Sequence, residues 1–181
     1  LTALGFDLGA RKHYEGNACH FLIRGVVAKL RAIGLVGDSR SKRIPALYMY
    51  ASPENRQWLL NGLMDGDGSV SQEKNRLTYH TINRVLAGQV KRLVEGLGGI
   101  ASVREYVRIR ERKPTDYQVW LRLPEWSKPF TVPRKACRYN PGSHALPVRT
   151  LKSVEFVRDV ESVCIAVDAP DQLYVTKDCI L

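Results

Sequence analysis

The sequence predicts an α+β fold, with a helix–strand–strand–helix–strand–strand unit at residues 51–140 and an all-β segment at residues 147–181. Two stretches of the first unit carry apolar residues at helical spacing, and four carry strand patterns. Beyond a linker-like YNPGSHALP, the apolar runs VRTLKSVEFV, ESVCIAV and QLYVTKDCIL are all strand-like. The chain is therefore expected to hold two kinds of unit.

Composition and charge indicate a globular protein with an acidic partner. Hydrophobic residues make up 44% and charged residues 25% of the 181 residues, which is typical of globular domains. Lys and Arg number 28 against 18 Asp and Glu, a net charge of +10. Nucleic acid is the commonest reason for such an excess, and a basic surface that only favours solubility is the alternative.

Cysteine spacing and hydropathy suggest where the protein works. The four cysteines form no CxxC pair and no zinc-like spacing with the four histidines, as in a reduced cytosolic protein. No apolar run reaches the roughly 18 residues of a membrane span, and a signal peptide is not expected. We therefore expect a cytoplasmic protein of a microbial, phage or organellar host, with no membrane partner.

The elements before residue 84 follow from local signals. A helix is predicted for residues 21–36, ended by Gly37 and Asp38, and ALYMYAS is predicted as a short extended piece. Ser52, Pro53 and Glu54 then open a helix that runs through RQWLLNGLMD to Gly66 and Gly68. Two strands, SVSQEKN and RLTYHTI, follow it.

The later elements complete the unit. Asn83 is predicted to cap the helix RVLAGQVKRLVEGL, which stops at Gly98-Gly99. The strand IASVREYVRIR alternates so that its arginines face outward, and it is expected to pair with the next strand, DYQVWLRL. Three prolines then break up the remaining segment.

The end of the helix before Gly68 poses a chemical question, because LLNGLMDGDGS places two carboxylates there. A calcium loop is excluded, since Val70 stands where glycine is needed and Arg76 where the bidentate Glu belongs. Asp65 and Asp67 lie at the negative end of the helix dipole, where a compensating cation would stabilise them. The residues alone leave an ordinary helix stop and a catalytic metal site open.

Residues 60–68, LNGLMDGDG, resemble the nine-residue signature of the LAGLIDADG homing endonucleases, with departures at Asn61, Met64 and Gly66. The resemblance implies an αββαββ endonuclease half, in which two signature helices pack side by side through a small residue, Gly62. It also implies that Asp67 is the metal-binding catalytic carboxylate. The Gly66 carbonyl would help it to hold Mg²⁺ or another divalent cation, and Asp65 would serve the helix end.

The same resemblance implies a partner, double-stranded DNA, in which both strands are cut. The polar face of the sheet would lie on the DNA, and arginine can bind a guanine edge or a phosphate. The expected DNA-binding residues are Arg76, Thr78, His80, Arg104, Arg108, Arg110 and Arg122.

Two lysines are further candidates. Lys42-Arg43-Ile44-Pro45 resembles the K-x-I-P block that precedes the second signature helix in endonucleases found inside inteins, which implies a catalytic Lys42. Lys135 is its expected counterpart in the second half, and Lys128 is the alternative. Residues 1–50 would then be the tail of a first endonuclease half, because none of their acids ends a signature helix.

The final 21 residues, 161–181, resemble the carboxyl-terminal splicing blocks of an intein, which belong to the Hint fold. The resemblance implies roles near the splice junction for Cys164 and Asp178. It also implies two protein partners, an amino-terminal intein segment (in the same precursor or a separate chain) and the host extein protein. Since the first intein residue, the T-x-x-H block and a terminal His-Asn are missing from the sequence, splicing by this chain alone is not expected. The alternative functions are a DNA-binding module without cleavage and a structural insertion in a split intein.

Overall fold

A computed structural model describes residues 7–9, 12–13, 19–20, 22–35, 37–71, 75–107, 114–141 and 150–174. The helices are α1 (Val26–Ala32), α2 (Ala46–Met49), α3 (Pro53–Asp67), α4 (Arg84–Glu95) and α5 (Pro133–Ala136). The strands are β1 (Asp7–Leu8), β2 (Lys12–His13), β3 (Cys19–His20), β4 (Ile23–Arg24), β5 (Gly68–Ser71), β6 (Arg76–Thr81), β7 (Ile100–Tyr106) and β8 (Asp116–Arg122). The mixture of helices with antiparallel strands confirms the α+β class.

The centre of the fold is a four-stranded antiparallel sheet in the order β5-β6-β8-β7. Thr78 pairs with Trp120, and Trp120 with Ser102, which fixes the register of the three longest strands. β8 is therefore an inner strand between β6 and β7, and the predicted pairing of the last two strands is confirmed. β1 pairs with β4 and β2 with β3 in two separate two-stranded ladders.

One face of the sheet is buried against helices and forms the core. Strand residues at the centre of this face are buried, as are the apolar residues that α3 and α4 direct towards them. Buried members of this cluster include Leu60, Met64, Leu77, Tyr79, Ala87, Val90, Leu93, Val94, Val119 and Leu121. Burying a Leu, Val or Met side chain contributes roughly 1.5–3 kcal/mol, so this set holds the helices on the sheet. The opposite face of the sheet is left for polar side chains.

α3 begins where the sequence predicts and continues beyond the first predicted stop, Gly66. The Ser52 hydroxyl accepts a hydrogen bond from the Asn55 N–H at 3.3 Å, and Pro53 occupies the first turn. Gly66 does not stop the helix, which continues to Asp67. A Cβ at Gly68 would lie 2.5 Å from the Met64 carbonyl oxygen, so the chain needs glycine where it turns from α3 into β5.

The expectations for residues 21–52 were wrong in two places. α1 covers only Val26–Ala32, and Gly34 (φ 74°), rather than Gly37, provides the left-handed residue after it. Residues 46–49 form the helical turn α2 instead of an extended piece. The reason is that Pro45 lies just before a helical turn, where its fixed φ fits, and its carbonyl accepts hydrogen bonds from Tyr48 and Met49.

The predicted all-β segment is not observed in its described part. Residues 150–174 contain no helix or strand, although residues 142–149 and 175–181 lie outside the described residues. Seven apolar side chains there are more than half exposed: Leu151, Val154, Phe156, Val157, Val160, Val163 and Ile165. A strand is stabilised by the ladder it makes with a neighbour, and none of the described strands lies beside this segment. The pattern of apolar residues alone was therefore insufficient to predict strands in this segment.

None of the helices in the described part of the chain has the length and apolar character needed to cross a membrane.

Candidate functional site

Asp67 lies at the solvent-exposed end of α3, immediately before the edge strand β5. It lines a cavity of about 400 Å³ together with Lys42 and Tyr79. The structure therefore brings Asp67 and Lys42, which the sequence predicted separately, to the wall of one cavity. Their roles in catalysis stay predictions.

Tyr79 is a residue of this cavity that the sequence did not single out. Its ring is 2% exposed, and burial together with the nearby Asp67 charge raises the pKa of Tyr79 to about 12. Tyr79 therefore stays a neutral hydrogen-bonding group well into the alkaline range. The sequence contains only an indirect indication that Tyr79 lies at this site. Tyr79 pairs with Gly68, the residue that follows the helix.

Hydrogen bonds to α4 fix the backbone of the segment that carries Lys42. The Asn83 side-chain amide donates to the Lys42 carbonyl at 2.8 Å, while its oxygen accepts from Leu86 N–H and caps α4. Gln89 donates to the Ile44 carbonyl at 2.7 Å and accepts from the Ile44 N–H at 2.9 Å. Ile44 is 5% exposed and joins the core. Lys42 is therefore tethered to the same core as the acid-bearing helix.

Lys135, in α5, lies against the end of α3, and its expected role as a counterpart of Lys42 stays a prediction. Its ammonium nitrogen lies within hydrogen-bond distance of four carbonyl oxygens at the end of α3: Met64 (2.9 Å), Asp65 (2.7 Å), Gly66 (3.2 Å) and Gly68 (2.7 Å). The Asp65 and Gly66 carbonyls are among those that a helix end leaves without intrahelical partners, whereas the Met64 carbonyl also accepts from the Gly68 N–H. A cation there also offsets the negative end of the helix dipole. Lys135 thus places a cation at the negative end of the α3 dipole, close to the two acids.

Lys128, the alternative to Lys135, is exposed. Its backbone carbonyl accepts a hydrogen bond from the Gln57 side chain at 3.2 Å. The four carbonyls at the end of α3 are contacted by Lys135 instead, so the structure favours Lys135 as the lysine that belongs to this helix end.

Asp65 joins the end of α3 to the start of α5. Its carboxylate accepts hydrogen bonds from the Thr131 N–H at 3.0 Å, the Val132 N–H at 3.2 Å and the Thr131 hydroxyl. Burial opposes the charged form, but these hydrogen bonds, with the Lys135 charge, hold the pKa of Asp65 below its usual value. Asp65 therefore links the end of α3 to the segment before α5.

Two other signature positions, Gly62 and Asn61, lie on different faces of α3. Gly62 is exposed, and a Cβ there would meet no atom within 4 Å, so this face can accept a closely packed helix. Asn61 is buried, and its side-chain amide lies 2.6 Å from that of Gln57, which also accepts from Ser127. Asn61, at which the sequence departs from the signature, is thus part of the polar contacts that join α3 to the segment after β8.

The sheet register places the described candidate DNA-binding residues on one face, opposite the core. These are Arg76, Thr78 and His80 on β6, Arg104 on β7 and Arg122 on β8. Thr78 is only 9% exposed, so it offers little surface, whereas the three arginines are exposed. The His80 Nδ1 lies 3.6 Å from an Asp116 carboxylate oxygen. Arg108 and Arg110 lie outside the described residues.

Of the two splicing candidates, Cys164 is an exposed free thiol within the segment 150–174, and Asp178 lies outside the described residues. No contact in the described part of the chain places Cys164 near the cavity of Asp67.

The donor set at Asp67 fits a magnesium ion only in part. Asp67 offers one exposed carboxylate, and Gly66 offers a carbonyl that Lys135 also contacts. Within the described ranges, no three His, Cys, Asp or Glu side chains come together as a metal site. Mg²⁺ in proteins commonly takes one or two carboxylates and completes its shell with water and phosphate oxygens. The residues present are therefore compatible with an ion that is shared with a bound phosphate.

An acid-tipped helix that leads into an antiparallel sheet with a basic face is the arrangement expected of a LAGLIDADG half. Residues 54–123, from the first turn of α3 to just past β8, match the LAGLIDADG-like domain family. This family comprises DNA endonucleases, and the match supports assigning this part of the chain to them.

Two proteins share longer similarity with the chain. It is 31% identical over 155 residues to the replicative DNA helicase DnaB of Mycobacterium intracellulare, covering 83% of this chain and 26% of that protein. It is 36% identical over 90 residues to the ATP-dependent DNA helicase Hel308 of Thermococcus kodakarensis, covering 45% of this chain and 8% of that protein. The matched regions are thus about a quarter and less than a tenth of these relatives.

Proposed function

We propose that residues 51–140 form one half of a homing endonuclease that makes a metal-dependent double-strand cut in a long DNA target. The observation that carries the proposal is the continuity of α3 and β5. Asp67 ends the helix, and the next residue starts the sheet whose outer face bears Arg76, Arg104 and Arg122. A duplex lying on this face would pass beside the carboxylate.

In this proposal the residues of the chain hold and neutralise a phosphate. Asp67, with the Gly66 carbonyl, would hold Mg²⁺, which when bound supplies Lewis acidity and lowers the pKa of water. Lys42, on the wall of the same cavity, offers an ammonium for the charge that develops on the phosphate oxygens. Lys135 keeps the helix end in place, so that the Asp67 backbone does not move when the charges around it change.

The basic sheet face gives the first test. Arg122→Met is expected to weaken binding to duplexes of random sequence by about 3- to 10-fold and to reduce the salt slope by about 1, because one phosphate contact is lost. Arg92→Met is the matched control, since Arg92 is an exposed arginine on α4, which packs on the opposite face of the sheet. Fluorescence anisotropy at several salt concentrations measures both. Equal losses for the two variants would mean that binding follows net charge and not the sheet face.

The exposed face of α3 gives the second test, because the proposal requires a second signature helix there. Gly62→Ala is expected to raise the free energy of unfolding of this chain by about 0.5–1 kcal/mol, since alanine favours the helix and its Cβ meets nothing. The same change is expected to weaken pairing with a second half and to reduce cleavage. Thermal unfolding and sedimentation measure the two effects. A variant that is more stable and cleaves as well as the parent would contradict pairing through Gly62.

We further propose that residues 147–181 belong to the carboxyl-terminal part of a Hint splicing domain, so that the endonuclease is embedded in an intein. Exposed apolar side chains outside any helix or strand, such as Phe156 (82% exposed), are what a segment that completes another sheet would show. Similarity to small parts of two different helicases supports an element inserted in host proteins.

This embedding makes a simple prediction for the complete gene that encodes the chain. Mass spectrometry of its expressed product is expected to show a joined host protein and a separate intein, formed with an amino-terminal intein segment. A product that keeps this sequence inside one continuous chain would contradict splicing.

The second candidate function is DNA binding without cleavage, favoured by one observation. Lys135 already contacts the Gly66 carbonyl, and of the two acids at this helix end only Asp67 is exposed, because Asp65 accepts hydrogen bonds from Thr131 and Val132. Duplex binding that is independent of metal, without nicking in Mg²⁺ or Mn²⁺, would establish this function in place of the first.

A further inference from the structure

Trp120 lies at the centre of the polar sheet face, and it is not among the residues expected to bind DNA. It lies on the inner strand β8, directly opposite Thr78 of β6 and Ser102 of β7. Both neighbours are small, so the half-buried indole ring is the largest group at this point of the face. The ring is therefore contacted by longer side chains from the diagonal positions on the two neighbouring strands.

Two arginines reach this ring, one from each neighbouring strand. The guanidinium carbon of Arg76 lies 4.2 Å from the centroid of the ring, and that of Arg104 lies 3.7 Å from it. Both arginines are diagonal to Trp120 in the register, a separation that long side chains can span. The two positively charged guanidinium groups repel each other. The negative potential at the face of the indole ring attracts both groups and offsets this repulsion.

The orientation of the ring is supported by a chain of polar contacts along β8. The Trp120 Nε1–H donates to the Gln118 oxygen at 3.4 Å, and the Gln118 amide donates to the Asp116 carboxylate at 3.1 Å. All three side chains share the polar face, because they alternate along the strand. The indole is therefore tied at its polar edge, and its ring is left for the arginines.

We propose that Trp120 is a positioning residue that holds Arg76 and Arg104 as a paired DNA contact, and we call the three residues the arginine–tryptophan platform. Stacking uses the flat face of a guanidinium and leaves its in-plane N–H donors free. Those donors suit phosphate oxygens or the O6 and N7 of guanine. Pre-ordering both side chains lowers the entropy cost of the contact. The proposal rests on the DNA-binding function proposed above and adds the residue that organises it.

The test compares Trp120→Leu with Trp120→Phe in the full chain, using labelled duplexes of random sequence as the probe. Trp120→Leu is expected to weaken binding roughly tenfold, since two stacking contacts are lost, and Trp120→Phe is expected to recover most of this. Trp126→Leu, at an exposed tryptophan outside the sheet, serves as the matched control and is expected to bind like the parent. Thermal unfolding of each variant shows that the fold is retained.

A double-mutant cycle separates positioning from a structural role. In the background Arg76→Met/Arg104→Met, Trp120→Leu is expected to cause no further loss, because the tryptophan acts through the arginines. A full additional loss in that background would overturn the platform, as would unchanged binding by Trp120→Leu in the parent. A parent protein that binds no duplex would overturn the proposed function itself, and the platform with it.

The same variants identify which DNA groups the platform contacts. Contacts to phosphates predict a smaller salt slope for Trp120→Leu and equal losses for all sequences. Contacts to guanine predict an unchanged slope and a loss of guanine enrichment among the duplexes that are selected by binding. Either pattern supports the platform.

Discussion

Replacing Asp67 by asparagine is expected to reduce Mg²⁺-dependent DNA cleavage by roughly 10³-fold or more while changing duplex affinity by less than about twofold. The amide has nearly the shape of the carboxylate, so the helix end is retained. It lacks the negative charge that a divalent ion requires. Asp67 is exposed and its side chain makes no hydrogen bond in the described structure that the change would break. Plasmid cleavage and anisotropy measure the two effects separately.

The matched control for Asp67→Asn is Glu54→Gln, which removes one negative charge from the other end of the same helix. It is expected to cost the helix only a few tenths of a kcal/mol, by loss of a favourable dipole interaction, and to leave cleavage unchanged. Cleavage by Asp67→Asn at a rate close to that of the parent would remove Asp67 from the catalytic role.

Replacing Lys135 by methionine is expected to lower the free energy of unfolding by about 1.5–3 kcal/mol, the range for hydrogen bonds to a charged group. The substitution keeps most of the aliphatic stem but removes the ammonium that contacts four carbonyl oxygens where α3 turns into β5. The helix end that carries Asp67 would loosen, and cleavage would fall together with stability. Urea denaturation and plasmid cleavage below the unfolding transition are the measurements.

Lys128→Met is the control for this change, because Lys128 is exposed and its side chain lies outside the carbonyl cluster. Little change in stability is expected for it. If Lys135→Met lost cleavage and kept its full stability, Lys135 would belong to the chemistry, as the resemblance implied. If it changed neither property, the contacts of its ammonium would be without consequence.

The parts of the fold that local patterns specify were predicted well. α3, α4, β6 and β8 each have a cap residue or a two-residue alternation that depends only on neighbouring positions. The errors arose where distant contacts decide the conformation. Residues 46–49 turn into a helix after Pro45, beside a segment that Gln89 anchors, and residues 150–174 lack a neighbouring strand in the described structure.

The site was predicted through residue types and a short signature, and that limits what the sequence could show. Asp67 and Lys42 were named from their motifs, and the structure places both on one cavity. The link between Lys135 and the end of α3 joins residues up to 71 positions apart, which no local pattern reveals. Trp120 and Tyr79 were likewise missed, because alternation assigns a strand residue to a face but does not identify its partners.

The central claim is that Asp67 and the basic sheet face belong to a DNA-cleaving site. The most direct test is to incubate the product of the complete gene, which is to supply the second signature helix, with a supercoiled plasmid library of random inserts in Mg²⁺, and to sequence the broken ends. The account predicts strand breaks at one reproducible long sequence that require the metal and are absent with EDTA. Duplex binding without any strand break in Mg²⁺ or Mn²⁺ would contradict it.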